Sequence, residues 1–292
     1  MPMLIIYLAV LVFLVIASIS DLKTREVPDW LNYGSIGIGI GFNLIFSLVY
    51  LDYSYIIRSL IGLGVTFVLA YLLFYTGQWG GGDSKALMGI GALLGLDWNF
   101  YKLDSMPFLF SFLINILIAG AIYGLLWTVF LAVKNRKKFA KEVKDISNKK
   151  SVKRIKMALL ILALIALAAS FFPMQFNHKI LIFGSAITLY LTCYMWILTK
   201  AVEKSCMQKY VLPSKLTEGD WIVNDIKVDG KRICGPKDLG IEKEQIKNLI
   251  SYYRAGKIKK VLIKEGIPFV PSFLMGFVVT LVFGNVIGHL IS

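Results

Sequence analysis

Two aspartates stand where apolar stretches of this chain give way to polar ones. Asp21 closes the run MPMLIIYLAVLVFLVIASIS, and Asp83 follows three consecutive glycines in GQWGGGDSKALMG, residues 77–89. A carboxylate at the edge of hydrocarbon costs several kcal/mol unless it is paired, solvated or protonated, so each of these asks for a chemical reason. If the two meet, they cannot both ionise cheaply and will share a proton over some pH range, which sets an acid beside a base. Such a pair can hydrolyse a peptide bond: the ionised carboxylate takes a proton from water while the neutral one hydrogen-bonds the scissile carbonyl. The sequence leaves open which of the two carries the proton. Gly80, Gly81 and Gly82 remove side chains just before Asp83, allowing an extended chain to approach and giving the loop conformations denied to other residues. A helix starting at Asp83 would also direct its N-terminal amides toward that carboxylate. Lys85 is suited either to anchoring at headgroups or to tuning the pair. Singly, each feature has a plainer reading. Asp21 could be a solvated helix flank and the glycines a turn, and GGGDSK lacks the GxxxxGK[ST] order of a phosphate loop.

The elements that must position these residues are membrane spans. The chain has 292 residues, 57% hydrophobic and 17% charged, with a mean hydropathy of +0.68, the composition of a membrane protein. Apolar runs long enough to cross about 30 Å of hydrocarbon fall near 3–20, 31–50, 55–76, 107–133, 157–172, 179–201 and 267–290. An eighth, shorter run from Lys85 to Leu96 is rich in small residues, as expected of a helix buried among its neighbours. The first run lacks a basic start and a small-residue cleavage site, so it reads as a retained span rather than a signal peptide. The expected fold is an all-α polytopic membrane protein of about eight transmembrane helices with a small α+β cytoplasmic module.

With Met1 outside, Arg58, Lys102 and Lys179 are the basic residues on the outer side, and the other 29 of 32 lie inside. The net charge of +14 is then mostly a matter of orientation. Asp21 and Asp83 come to the same inner edge, whereas Asp52, Asp97 and Asp104 belong to the outer side. Asp29, after Pro28, is expected to cap the second span. The block at 134–156 carries eleven Lys and Arg, and contact with anionic headgroups explains it better than nucleic acid does, because aromatic interleaving is missing.

Residues 203–266 break the apolar pattern and read as a soluble α+β module between a transmembrane part, 1–202, and a final span within 267–292. WIVNDIKVDGKRI alternates about Asp229-Gly230, a hairpin dipeptide. IEKEQIKNLISYYRAG has helical spacing with Gly256 as a C-cap, and KKVLIKEG reads as a strand. IPFVPSF, 267–273, reads as a helix start after a proline-stiffened linker, with a strand-like support for substrate as the alternative. Cys193, Cys206 and Cys234 show neither disulfide nor metal spacing, so no cofactor or metal is expected, and Cys206 and Cys234 should label from the cytoplasmic side.

Gly80-Gly81-Gly82-Asp83 with Lys85 resembles the GxGDxK signature of GxGD aspartic peptidases, and Asp21 with the following LKTREVPDWL resembles the segment after the first aspartate of type IV prepilin peptidases and archaeal preflagellin (prearchaellin) peptidases. EGIPFVPSFLMGF before the last span is similar to the C-terminal region of the archaeal branch. The resemblance implies an aspartic endopeptidase that removes leader peptides of class III signal sequences at the cytoplasmic membrane face, with Asp21 and Asp83 catalytic. Its partners would be pilin-like or archaellin precursors. The tetracysteine zinc insert common in the bacterial enzymes has no counterpart here, which favours the archaeal, methylation-free type. Eight spans and a long basic loop differ from the six-span preflagellin peptidases, so pilin-like substrates are at least as well supported as archaellins. Two rival readings are an ion- or proton-coupled transporter using the same carboxylates and a scaffold that recruits partners through 203–266.

Overall fold

A computed structural model of the chain describes residues 2–97, 106–169, 175–286 and 288; Lys102 and Asp104, expected on the outer side, lie outside the described residues. Each of the eight apolar runs falls on a helix. These are α1 (Pro2–Thr24), α2 (Asp29–Val49), α3 (Ser54–Tyr75), α4 (Gly81–Leu94) and α5 (Phe108–Lys134), then α7 (Lys150–Ala169), α8 (Phe176–Val202) and α10 (Val270–Phe283). Five of them, α1, α2, α3, α5 and α8, are long and apolar enough to cross a membrane, and α10 is a shorter apolar helix over its described length. The protein is a polytopic, mainly helical membrane protein. α4 is only 14 residues long because Gly80 and Gly95 bound it. α7 opens with Lys150, Lys153, Arg154 and Lys156 before its apolar stretch begins.

The short helix is the centre of the bundle. Ala86, Leu87, Ile90 and Leu93 of α4 are at most 1% exposed. Hydrophobic burial adds little against lipid, so close packing through small residues must hold such a helix. A Cβ on Gly39 of α2 would lie 2.7 Å from the Ala92 and Leu93 backbone, and one on Gly62 of α3 would lie 2.8 Å from Gly95. α2 and α3 therefore approach α4 backbone to backbone. The last carbonyls of α4, which no residue of its own helix can satisfy, take donors from the same neighbours. The Asn43 amide donates to Ala92 and Leu93, at 3.3 and 3.2 Å, and the Ser59 hydroxyl donates to Ala92 at 2.6 Å. α5 and α10 form a second antiparallel pair, in which Asn115 donates to Thr280 Oγ1 at 2.9 Å and to the Gly284 carbonyl at 2.7 Å.

The basic block holds a helix that the apolar pattern did not reveal, α6 (Arg136–Asn148). Its Phe139, Val143 and Ile146 recur at helical spacing and pack with Val152, Ile197 and Ala201 of α7 and α8, while Arg136, Lys137, Lys138, Lys141 and Lys144 stay exposed.

α8 runs through a π-helical turn, Glu203–Met207, into a small α+β module. Its strands are β1 (Gln208–Val211), β2 (Trp221–Ile222), β3 (Ile226–Val228), β4 (Lys231–Cys234) and β5 (Val261–Lys264). They form an antiparallel sheet in the order β1-β5-β2 and a separate β3-β4 hairpin, and α9 (Lys243–Arg254) packs against them. Asp229 and Gly230, at φ 52° and 78°, make the expected hairpin turn, since both central positions of that turn need positive φ. Gly256, at φ 72°, follows α9 in the left-handed conformation that ends many helices. β1 was not foreseen, because QKYV carries no clear alternation.

Two outcomes follow from this packing. Gly62→Ala is expected to lower the thermal midpoint in detergent, at a cost of about 1–3 kcal/mol for a group forced against main chain, whereas Gly64→Ala, with nothing within 4 Å of its added carbon, leaves it unchanged. Cys234 is fully buried and its thiol is pushed up to about 11 by that burial, so it should label slowly from any side. At pH 8 a maleimide should modify the partly exposed Cys206 and spare Cys234 until the module unfolds.

Candidate active site

Asp21 sits in the last turn of α1 with 4% of its surface exposed. Its Oδ2 accepts a hydrogen bond of 2.9 Å from the Val270 amide. Val270 is the first residue of α10, and Pro271 behind it makes this a helix start rather than a strand-like support. Free N–H groups at a helix N-terminus favour an anion, so α10 presents a donor and a dipole to the end of α1. Arg25, one turn beyond Asp21, has φ 61° and donates to the Gly266 carbonyl, which ties the α1 end to the segment leading into α10.

Asp83 lies in the first turn of α4, and its Oδ2 accepts the Gly80 amide at 3.2 Å, satisfying one free donor of that helix. The two carboxylates are close enough for the Asp21 charge to act on Asp83. Shared neighbours hold the two helix ends at one level. A Cβ on Gly82 would lie 3.4 Å from the Val27 nitrogen just beyond Asp21, and Trp79 packs at a tilt against Phe269 and Phe273 of the α10 end, at 5.5 and 5.1 Å between centroids. A Cβ on Gly80, Gly81 or Gly82 would meet its neighbours no nearer than 3.4 Å, so packing within the chain does not itself demand the glycine run. Gly80 is extended, Gly81 and Gly82 are helical, and the positive φ of this loop belongs to Gly77, at 69°. Trp221 of the module lies over that residue, 3.3 Å from where its Cβ would be.

Lys85 does not reach for solvent. Its Nζ meets Asp29 Oδ1 at 2.6 Å and lies 5.3 Å from the Tyr33 ring centre. Asp29 is accordingly not the N-cap expected of it. Pro28 occupies that position, no side-chain cap forms, and the carboxylate is drawn to the lysine instead. The interaction binds the start of α2 to the start of α4.

Sequence reasoning missed the α10 N-terminus as a wall of this site, although Pro271 two residues into a helix signals uncommitted amides nearby. It also passed over Ser18, one turn before Asp21, and Ser84, next to Asp83. Both hydroxyls are buried and without a partner among the described residues. Asn43 and Asn115, the polar residues of mid-bundle depth, are used up in helix-end hydrogen bonds. They give no support to a polar path across the bundle, as the transport reading would need.

Residues 8–125, the stretch that carries both aspartates, match the type IV leader peptidase family. The chain is similar to preflagellin peptidases of Methanococcus maripaludis, 41% identical over 28% of this chain and 35% of the relative, and of Methanocaldococcus jannaschii, 38% identical over 32% and 44%. It is also similar to a prepilin peptidase of Methanothermobacter thermautotrophicus, at 21% identity over 92% of this chain and 91% of the relative. The chain spans between about a third and a half of the length of the preflagellin peptidases it matches. The family match thus covers both aspartate motifs, while the α10 end that meets Asp21 lies outside the matched stretch.

The Lys85–Asp29 pair is partly exposed, at 34% and 65% of its side chains, and exposed pairs contribute about 0–1 kcal/mol. Lys85→Gln is expected to lower stability in a denaturation series by no more than that. A loss of several kcal/mol would show that this contact is a main support of the bundle.

Proposed function

We propose that this chain, whose residues 8–125 match the type IV leader peptidase family, is a membrane-embedded aspartic endopeptidase that removes the leader peptide from pilin-like or archaellin precursors. What supports the reading is that each carboxylate accepts a main-chain amide at a helix start and that the Asp21 charge reaches Asp83. In this reading the ionised aspartate takes a proton from water, and the resulting hydroxide adds to the scissile carbonyl carbon. The neutral aspartate hydrogen-bonds the carbonyl oxygen and then returns a proton to the leaving nitrogen as the C–N bond breaks. Gly80, Gly81, Gly82 and Lys85 support the pair: the glycines by leaving room for an extended substrate chain, the lysine by fixing α4 against α2.

A precursor with a short polar leader and an apolar helix can keep that helix in the bilayer and present its junction at the level of the aspartates. The site would face the cytoplasm, with Met1 outside the cell membrane, as the distribution of Lys and Arg favours. Among substrates, the pilin-like class has the broader support, since the prepilin peptidase of Methanothermobacter thermautotrophicus aligns with nearly the whole chain. The division into a catalytic part, 1–202, a cytoplasmic module, 203–266, and a final span, 267–292, assigns the module to the mouth of the site, where Trp221 covers Gly77. The exposed lysines of α6 are suited to anionic headgroups rather than nucleic acid.

Co-expression with a pilin-like precursor tests the assignment. Asp21→Asn and Asp83→Asn should each abolish the mobility shift of leader removal, a loss of at least about a thousandfold if both act as one unit, while membrane levels of the protein persist. Wild-type processing by either variant would remove that residue from the pair.

A further inference from the structure

The phenol of Tyr123 is unaccounted for by the chemistry above. Its hydroxyl is buried and has no hydrogen-bond partner among the described residues. An orphaned buried hydroxyl typically costs about 1–3 kcal/mol, so one beside a reacting centre asks for an acceptor. The antiparallel packing of α5 on α10 gives its level. Asn115 meets Thr280, a Cβ on Gly276 would lie 3.0 Å from Ile116, and one on Gly120 would meet the Phe269 ring at 2.6 Å. One turn further along α5, Tyr123 comes to the depth of Gly266–Phe269, where Arg25 and Asp21 are fastened. It is near enough to both for their charges to act on it.

We propose that Tyr123 is a positioning residue that, by turning its unpartnered phenolic O–H onto the Asp21 carboxylate, makes Asp21 the ionised base of the pair and leaves the proton on Asp83. The inference rests on the peptidase reading and deepens it. Of the two charged groups that act on Tyr123, Arg25 has no acceptor to offer and the Asp21 carboxylate does. The donor inventory favours the same assignment. Asp21 has the Val270 amide at 2.9 Å, the α10 N-terminus and Arg25 one turn away, whereas Asp83 has the Gly80 amide at the longer 3.2 Å. The titratable groups facing Asp21 are Arg25 just past the end of its own helix, Asp83 on α4 and Tyr123 on α5; α10 presents main-chain N–H groups. Phenol and carboxylate exchange no proton in the resting pair, so Tyr123 acts through Asp21 and not on the substrate.

Tyr123→Phe keeps the ring, with its 5.7 Å contact to Trp127, and deletes the donor. In the full-length protein in detergent, kcat for a pilin-like precursor should fall roughly tenfold with KM within about twofold, the worth of one charge-assisted hydrogen bond. Loss of a donor to the anion makes Asp21 easier to protonate, so the acid limb of the kcat profile should move to higher pH by about one unit. An unchanged rate and acid limb overturn the proposal. Infrared titration decides the same point without turnover. The protonated-carboxyl band of the resting protein should vanish in Asp83→Asn and persist in Asp21→Asn, and the Asp21 band should titrate at higher pH in Tyr123→Phe than in wild type. The reverse pattern of the two Asn variants overturns it. A wild-type protein that cleaves no precursor at all would sink the peptidase reading, while the infrared bands would still decide where the proton sits.

Discussion

The constraint on which the rest depends is the near-contact of main chains around α4. A helix of 14 residues cannot hold itself in a bilayer by length, and its apolar side chains gain little by leaving lipid for protein. What remains is proximity: Gly39 and Gly62 bring α2 and α3 against its backbone, and Asn43 and Ser59 satisfy its terminal carbonyls. Because the far end of α4 is fixed in this way, the depth of its first turn is fixed too. That depth is where Asp83 emerges.

Asp21 is fixed by a different force. A carboxylate that is 4% exposed must find donors, and the Val270 amide is one that a proline-led helix start leaves uncommitted. One hydrogen bond therefore joins residues 249 positions apart and closes the end of α1 upon the start of α10. The bundle holds one aspartate by packing and the other by electrostatics. Near both helix ends, Trp79 packs on Phe269 and Phe273.

Local chemistry was the legible part. Asp229-Gly230 dictated a turn, ALMGIGALLGL announced a buried helix by its small residues, and GGGD with an acid at the end of the first apolar run directed attention to both carboxylates. Partnerships across the chain left no local trace. Nothing in VPDWLN tells that Asp29 will face Lys85 rather than cap its own helix, and nothing in FLMGF tells that the amide before it will face Asp21. α6 escaped for a related reason: Phe139, Val143 and Ile146 are diluted by lysines, so a count of apolar residues passes over a stripe that only helical spacing reveals.

β5 flows into α10 through Glu265–Phe269 without an intervening domain linker, and Arg25 grips that passage at Gly266 while also bridging to Glu265 at 3.7 Å. Lys209 of β1 pairs with the same glutamate from the other side. Sheet and carboxylate are consequently tethered by the five residues Glu265–Phe269: the strand that completes the sheet ends next to the amide that meets Asp21.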